Sequence, residues 1–337
     1  MTTQRVIVEL GDRSYPVVVG PGASGEVASL LPDGARRAVI VTQAGLPTVS
    51  PSGLQTTTVE IPRGEDAKNL GTIERVCREF ARAGLTRADV VIGVGGGMVT
   101  DLAGFAAASW HRGTPVVHVA TSLLSMVDAA IGGKTGVNLP DGKNLVGAYW
   151  QPRAVVCDTD HLATLPDAEM RCGLGEVAKY HFMSGLDLLA LPLVDRIVEC
   201  ARIKAAIVSS DEREGGVRAL LNYGHTLGHA LESAGGHELA HGEAVAIGVV
   251  FAAHLARALG LIDDARVDVH ERVVGVEYGL ATRPPRGQDP DRLLDFMRRD
   301  KKSLDGLTFV LDGPGGLRVV PRVPEDVVRG ALASFLI

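Results

Sequence analysis

The sequence feature that most constrains the fold is the glycine-rich stretch over residues 93–150, which begins GVGGGMVTDLAGFAAASW. An apolar run, VVI, leads into a turn with glycines at positions 95, 96 and 97, and an alanine-rich segment with helical character follows. This order of strand, tight turn and helix suits a bound phosphate or pyrophosphate, because glycine lets backbone N–H groups approach the ligand and the helix N-terminus offers unpaired donors. The spaced GxGxxG fingerprint is absent, so glycines placed for packing alone remain an alternative.

The sequence around this turn alternates between predicted strands and helices. After a hairpin over residues 5–20, the strands cover residues 38–43, 56–62, 90–94, 115–121 and 154–159, and the helices cover residues 22–31, 67–83 and 99–110. On the helix over residues 67–83, the apolar side chains at helical spacing are Leu70, Ile73, Val76, Cys77 and Phe80. Such alternation predicts a doubly wound, mostly parallel sheet with ligands at the carboxyl ends of its strands. The polar, glycine-rich segment 129–144 is interpreted as an irregular loop that lines a pocket.

The periodicity becomes helical beyond about residue 164. The predicted helices there cover residues 168–183, 186–209, 218–234 and 242–259, and a late hairpin with Asp-Gly and Gly-Gly turns covers residues 308–320. With 337 residues the chain is long enough for two domains. The sequence therefore predicts an α/β domain over residues 1–160 and a mainly α-helical domain over residues 161–337.

Composition argues against several functional classes. The net charge is −6 and the chain has no lysine or arginine run, which argues against nucleic acids and membrane surfaces as partners. No segment reaches the roughly 18 consecutive apolar residues of a membrane span. The four cysteines are scattered without a CxxC pair, which is typical of reduced thiols and predicts a cytoplasmic protein.

Histidines are enriched in the segment NYGHTLGHALESAGGHELAH, which covers residues 222–241. His225 and His229 are four residues apart and share a helix face, a spacing that can bind one metal ion. A carboxylate would complete a site of two histidines and one glutamate, and the candidates are Glu176, Glu232 and Glu243. The structural alternative is a helix N-terminus with capping histidines and one buried imidazole.

Basic residues recur beside these segments in a protein of net negative charge. Singly, each fits a solvated surface charge, but their placement near glycine turns and polar helix starts suggests one anion pocket for carboxylate and phosphate groups. These residues are Arg112, Lys134, Lys143, Lys179, Lys204, Arg218, Lys301 and Lys302.

Three motifs together resemble the 3-dehydroquinate synthase family of sugar-phosphate cyclases. They are GGGMVTDLAGFAAASWHRG, then ATSLLSMVDAAIGGKTGVNLPDGKNLVGAYWQP, and LLNYGHTLGHALE with HGEAVAIG downstream. The resemblance covers roughly residues 64–260, and the ordered set of motifs is very specific.

The resemblance implies an α/β nucleotide-binding domain that holds NAD, followed by an α-helical domain that holds a divalent metal, zinc or cobalt. The enzymes of this family are carbon–oxygen lyases of the shikimate pathway, and they convert 3-deoxy-D-arabino-heptulosonate 7-phosphate to 3-dehydroquinate and phosphate. NAD oxidises one ring hydroxyl to a ketone, phosphate leaves, the ketone is reduced back, the ring opens and an intramolecular aldol reaction closes the carbocycle. A homodimer is also implied, because Arg112 is expected to reach the neighbouring subunit's site.

Site residues follow from the resemblance by position. The metal ligands implied are Glu176, His225 and His241, so that His229 would instead serve the substrate or proton transfer. The substrate residues implied are Asp128, Lys134, Lys143, Asn144, Lys179, Lys204, Arg218, Asn222, His229, Arg112 and one or both of Lys301 and Lys302. The NAD-binding residues implied are Glu65, Lys68, Gly96, Gly97, Asp101, Thr121, Ser122 and Thr164, together with Lys134 and Lys143.

Three positions depart from the family pattern. Ser122 replaces the usual threonine but keeps the hydroxyl, Gln43 stands where an acidic residue often recognises ribose, and the stretch after Lys179 is shorter than usual. The segment GGKTGVN argues against the sibling cyclases that make deoxy-inosose or valiolone. Aminodehydroquinate synthases share nearly all these residues and stay an alternative. More remote alternatives are a metal-dependent polyol dehydrogenase and a non-catalytic nucleotide-binding module.

Overall fold

The structure is a computed structural model that describes residues 2–46, 49, 51–235, 239–300 and 306–337. Its contacts divide the chain into two units. The first comprises Met1–Pro166 and Leu193–Arg213, and the second comprises Asp167–Pro192 and Glu214–Ile337. Within the described residues, no helix is both long enough and apolar enough to cross a membrane.

The described residues form eleven strands and nine α-helices. The strands are β1 (Gln4–Val8), β2 (Tyr15–Gly20), β3 (Arg37–Thr42), β4 (Gln55–Glu60), β5 (Val90–Gly95), β6 (Val116–Ala120), β7 (Lys134–Leu139), β8 (Gly142–Tyr149), β9 (Ala154–Asp158), β10 (Leu307–Leu311) and β11 (Arg318–Val323). The helices are α1 (Leu70–Arg82), α2 (Gly97–Ser109), α3 (Asp167–Ser184), α4 (Leu193–Ser210), α5 (His225–Ala234), α6 (His241–Ala258), α7 (Asp264–Glu271), α8 (Pro290–Asp300) and α9 (Glu325–Phe335).

A seven-stranded sheet in the order β1-β2-β9-β6-β5-β3-β4 organises the first unit. Six of its strands run parallel, and β1 pairs antiparallel with β2 as the hairpin that the sequence predicts. Strands β5 and β6 end beside each other, which brings the glycine turn next to Thr121. The predicted doubly wound, mostly parallel sheet is therefore confirmed.

The inner strands β3, β5, β6 and β9 of the sheet are buried on both faces by alternating side chains. On β3, Val39 and Val41 contribute to a core cluster shared with α1 and α2, while Ala38 and Ile40 contribute to a second cluster. Ile73, Val76 and Phe80 of α1 are buried as their spacing predicts, but Leu70 is 47% exposed because it stands at the first residue of the helix. Burial on both faces explains why the sequences of these strands are continuous runs of apolar residues.

The interpretation of residues 129–144 as an irregular loop is wrong. Strands β7 and β8 pair antiparallel across a two-residue connection, Pro140–Asp141. Gly136 faces Gly147 in this pair, and a Cβ on Gly147 would lie 2.0 Å from the carbonyl oxygen of Thr135. The glycines thus allow two backbones to approach, a role that composition alone does not separate from loop flexibility.

Two long predicted helices are each broken once. The segment 186–209 divides into a 3-10 turn over Leu188–Ala190 and helix α4, because Pro192 lacks the N–H that a continuous helix needs. The segment 218–234 divides at Gly224, whose φ of 78° ends a 3-10 helix over Val217–Asn222 before α5 begins. The predicted helix over residues 22–31 is a 3-10 helix, Ala23–Leu30.

Helix α4 is grouped by its contacts with the first unit, where it packs on β1 and β2. The division at residue 160 predicted from sequence assigns it to the second domain. Apart from α4, the second unit contains the helices from α3 onward and the hairpin of β10 and β11, which the late turn signals predict.

His118 is a buried histidine of β6 that the site predictions do not include. It is 2% exposed, and its Nδ1 has no hydrogen-bond partner among the described residues. Gly93 and Gly104 make room for its ring, since a Cβ on Gly93 would lie 3.2 Å from Nδ1. Burial without a partner lowers the pKa of His118 to about 4.

We therefore expect His118 to lower stability in mild acid. Between pH 6.5 and pH 4 this histidine is protonated in the unfolded chain but stays neutral in the folded chain. Its contribution therefore lowers the free energy of unfolding by about 2 kcal/mol at pH 4.5. Urea unfolding of the metal-free protein at pH 7.5 and pH 4.5 measures it. His118→Gln should lose correspondingly less stability over this interval, and an equal loss in both proteins would contradict the assignment.

Candidate active site

Three side chains that the resemblance implies as metal ligands converge in the second unit. Glu176 lies in α3, His225 begins α5 and His241 begins α6. The Nε2 atoms of both imidazoles lie 3.3 Å from Oε1 of Glu176, and the ligand atoms all lie within 4.8 Å of one another. The three residues, which are far apart in sequence, thus present one nitrogen–nitrogen–oxygen set.

Glycines next to these three residues let the helices approach closely enough to bring the side chains together. Gly175 precedes Glu176 and Gly242 follows His241, and a Cβ on either would lie within 2 Å of a backbone oxygen of the other helix, at 1.9 Å and 1.7 Å respectively. A Cβ on Gly248 of α6 would likewise lie 1.9 Å from the carbonyl oxygen of Gly224, the residue just before His225. The ligand positions therefore depend on backbone contact between helices, which only glycine permits.

Hydrogen bonds fix which nitrogen of each imidazole carries a proton. The carbonyl oxygen of Tyr223 accepts from His225 Nδ1 at 3.1 Å, and Oε2 of Glu232 accepts from His241 Nδ1 at 3.0 Å. Both acceptors lack a proton of their own, so Nδ1 is the donor in each ring. A neutral ring of this kind carries its lone pair on Nε2, and in both rings Nε2 faces the carboxylate of Glu176 at 3.3 Å.

The electrostatics at Glu176 favour a positive charge among these atoms. Its side chain is 0% exposed, and Lys179 lies 2.5 Å from Oε2. Burial opposes ionisation of Glu176, but Lys179 and the imidazoles outweigh it and hold its pKa well below the usual range. Burial opposes protonation of His241 too, yet the carboxylates of Glu176 and Glu232, one at each ring nitrogen, raise its pKa to about 10, whereas burial lowers the pKa of His225.

This donor set fits a divalent cation. Oε1 of Glu176 is buried without a hydrogen-bond donor among the described residues, and two imidazole nitrogens face it. Two histidines and one carboxylate are a ligand set that zinc and cobalt accept, with a coordination position left for a substrate oxygen.

Three further predicted substrate residues belong to the second unit, and one of them, His229, lies beside the cluster. The ring of His229 lies 5.3 Å from that of His225 and 6.0 Å from that of His241, between centroids. Arg218 is 1% exposed, and Asn222 donates through Nδ2 to Glu214 at 2.8 Å. Glu214 was not predicted as a site residue; the only sequence signal is its place four residues before Arg218.

The first unit contributes a separate group of predicted substrate residues. Lys204 of α4 is buried and donates to the side chain of Asp128 at 2.8 Å and to its backbone oxygen at 2.6 Å. Lys134 and Lys143 lie on β7 and β8, and Asn144 adopts a left-handed φ of 55°. The hairpin that replaces the expected loop therefore carries three of these side chains.

Some of the predicted NAD residues belong to the glycine turn or lie next to it. A Cβ on Gly96 would lie 3.2 Å from Oγ of Ser122, so Gly96 leaves an open approach to the N-terminus of α2 at Gly97. Lys68 is buried and donates to Asp101 at 2.5 Å and to Asn144 at 2.6 Å. This cradle of small residues at a helix N-terminus fits a pyrophosphate.

The remaining predicted residues are spread more widely. Glu65 accepts from Asn138, and Thr164 is exposed and donates to the carbonyl of His161. Arg112 is exposed with a left-handed φ of 62°. Lys301, Lys302 and His237 lie outside the described residues.

Comparison with known proteins decides the family. The model for the 3-dehydroquinate synthase N-terminal domain matches residues 58–172, and that for the C-terminal domain matches residues 173–303. The chain belongs to the 3-dehydroquinate synthase family. A 3-dehydroquinate synthase of Symbiobacterium thermophilum is 41% identical over 357 aligned residues, covering 97% of this chain and 99% of that protein. A protein of Amycolatopsis mediterranei described as a proposed aminodehydroquinate synthase is 53% identical over 330 aligned residues, which cover 96% of this chain and 93% of that protein.

Solved structures of other members of this superfamily have the same fold. The 2-deoxy-scyllo-inosose synthase complexed with carbaglucose-6-phosphate, NAD+ and Co2+ aligns with a TM-score of 0.87 and 26% identity over 99% of this chain and 100% of that one. The 2-epi-5-epi-valiolone synthase of Streptomyces hygroscopicus, with NAD+ and Zn2+ bound, aligns with a TM-score of 0.84 and 26% identity. This alignment covers 97% of this chain and 98% of that one. A glycerol dehydrogenase at 19% identity shares the fold alone.

Proposed function

We propose that this chain is a sugar-phosphate cyclase of the 3-dehydroquinate synthase type that uses NAD and a divalent metal. Its substrate is 3-deoxy-D-arabino-heptulosonate 7-phosphate, and its products are 3-dehydroquinate and phosphate. The observation that carries the proposal is the convergence of Glu176, His225 and His241 on one buried point, with Lys179 beside them. Membership of the family and the ligands of the two solved relatives support it.

In this proposal Glu176, His225 and His241 hold the cation, which when bound supplies polarisation of substrate oxygens. Lys179 keeps the carboxylate of Glu176 ionised by its contact of 2.5 Å. His229, whose ring lies within 6.0 Å of both ligand imidazoles between centroids, is positioned to move a proton at a substrate oxygen. These groups suit steps in which a hydroxyl gains or loses a proton.

The cationic side chains bind the charged ends of the substrate. A guanidinium binds a carboxylate or phosphate through two parallel hydrogen bonds, and Arg218 is a buried group of this kind. Lys204, held by Asp128, is a buried point charge on the first unit. Lys134 and Lys143 add positive charge on the hairpin of β7 and β8.

NAD would lie against the glycine turn, with Gly96 and Gly97 facing its pyrophosphate and Lys68, Asp101 and Thr121 around it. The chemistry that NAD supplies when bound is reversible hydride exchange with a substrate alcohol. Ser122 donates to Ser125 at 3.0 Å, which holds its hydroxyl beside Gly96.

We also propose a homodimer in which Arg112 reaches the partner's substrate. Arg112 is exposed and adopts a left-handed φ of 62°, and a Cβ on the next residue, Gly113, would lie 2.4 Å from the ring of Trp150, so the backbone beside Arg112 lies close against this indole. Arg112→Ala should lower kcat/KM by roughly 10- to 100-fold, the worth of one charge-assisted contact, and leave the melting temperature nearly unchanged. Wild-type turnover of Arg112→Ala, or a monomer by sedimentation, would contradict this role.

A second candidate is the aminodehydroquinate synthase reaction on the amino analogue of the substrate. The 53% identity to the Amycolatopsis protein favours it. Length supports it as well. The alignment with the Symbiobacterium synthase needs 357 positions to cover 97% of this chain, whereas 330 positions cover 96% of it against the Amycolatopsis protein, so the Symbiobacterium alignment contains more insertions relative to the 337 residues of this chain.

Phosphate release tests the proposal. Metal-loaded protein with NAD is given the heptulosonate phosphate and its amino analogue in parallel reactions, and phosphate is measured over time. Turnover of the first substrate with the larger kcat/KM supports the synthase, whereas release from the amino analogue alone supports the second candidate. No phosphate from either substrate in protein that binds both metal and NAD would refute the cyclase assignment.

A further inference from the structure

The second carboxylate beside His241 is that of Glu232, which spacing offers as a candidate ligand but which is not among the site residues that the resemblance implies. We infer that Glu232 is a positioning residue that fixes the imidazole of His241 for binding a cation through Nε2. The inference rests on the proposed metal site.

Glu232 is a buried side chain with one carboxylate oxygen at the ring of His241. It lies in α5, two turns beyond His225, and it is 5% exposed. Its Oε2 lies 3.0 Å from Nδ1 of His241, while Nε2 of the same ring lies 3.3 Å from Glu176. The ring therefore stands between two carboxylates, one at each nitrogen.

This arrangement has a specific effect on a ligating histidine. A carboxylate can only accept, so the proton of a neutral ring stays on Nδ1 and the lone pair stays on Nε2. The negative charge behind the ring also raises the basicity of Nε2 and hence its strength as a ligand. His241 is 31% exposed on its side chain, against 12% for His225, and so gains more from a partner that holds its orientation.

The two imidazoles are held by acceptors of different charge. His225 donates to the neutral carbonyl of Tyr223, a backbone group that no side-chain replacement removes. His241 donates to an ionised side chain. Replacing Glu232 therefore removes the acceptor of His241 and leaves the acceptor of His225 in place.

A competing role for Glu232 is direct coordination of a second ion. Ligand atoms of His229, Glu232 and His241 also lie within 4.8 Å of one another. The bond of 3.0 Å between Glu232 and His241 favours the positioning role, because an ion at that place would have to displace the proton on Nδ1. Metal stoichiometry separates the two roles: positioning requires one ion per chain.

The test compares Glu232→Gln with Glu243→Gln. The glutamine keeps the size of the side chain and removes its charge. Glu243 is the matched control, since it lies two residues after His241 but pairs with Arg171 at 3.0 Å. Cobalt affinity is measured by competition with a chelator, and the visible absorption of bound cobalt is recorded.

We expect Glu232→Gln to bind Co2+ about 10- to 100-fold more weakly than the wild type, with an altered cobalt spectrum and unchanged NAD affinity. Glu243→Gln should match the wild type in all three. Glu232→Asp, which keeps the charge but shortens the side chain, should lose less affinity than Glu232→Gln, and it carries the test if the glutamine variant does not fold.

Equal cobalt affinity and spectra in wild type and the folded Glu232 variants would overturn the inference. Two ions per wild-type chain, falling to one in Glu232→Gln, would overturn it in favour of direct coordination. A wild-type protein that binds no cobalt would instead refute the proposed metal site, so the two failures are distinguishable.

Discussion

Replacing His241 with alanine should lower metal affinity by more than about 100-fold and remove phosphate release. In the proposed site His241 supplies one of three ligand atoms, and even a group that only orients a ligand is worth about 10- to 100-fold in affinity. Metal content after dialysis against a chelator measures the loss. NAD affinity should stay close to wild type, because the glycine turn lies in the other unit.

His254→Ala is the matched control for this variant. His254 lies on the same helix, α6, but pairs with Glu271 at 2.8 Å. Its replacement should leave metal content unchanged. If His241→Ala retains a full metal complement, the ligand assignment is wrong, whatever the activity.

Gly242→Ala should destabilise the protein and weaken metal binding together. The added Cβ would lie 1.7 Å from the carbonyl oxygen of Cys172, so α3 and α6 must separate, and Glu176 moves away from His241. Overpacking of this kind costs about 1–3 kcal/mol of unfolding free energy. Thermal unfolding and cobalt titration of the same preparation measure both effects.

The control is Gly330→Ala on α9, where an added Cβ has no neighbour within 4 Å. Alanine there should leave metal affinity unchanged and stability equal or slightly higher, by up to about 1 kcal/mol, since it favours the helix. A Gly242→Ala protein with wild-type metal affinity would show that the helix contact does not set the ligand geometry.

Much of the fold follows from local pattern. The parallel strands are apolar runs bounded by turns, and both hairpins at 4–20 and 307–323 have clear turn residues. The hairpin of β7 and β8 could not be predicted in this way, because paired glycines and a Pro-Asp turn have the composition of a loop. Only pairing across the strands distinguishes the two.

The residues of the candidate site are harder to predict from sequence spacing alone. Helical spacing singles out His225 with His229, whereas the structure places His225 and His241 against Glu176. Those three residues meet through helix crossings at Gly175, Gly242 and Gly224, which are tertiary contacts with no sequence period. The resemblance to a family implies these three residues as a ligand set, which spacing alone does not. The acceptor behind His241, Glu232, became recognisable as such only once the distance of 3.0 Å was known.

The most direct test of the central claim follows phosphate and NADH absorbance in one reaction with limiting NAD. A cyclase returns the hydride within each turnover, so many phosphates should be released per NAD while the absorbance of NADH stays flat. His241→Ala should release none. NADH that accumulates in step with substrate consumed, without phosphate release, would contradict the account and identify a dehydrogenase.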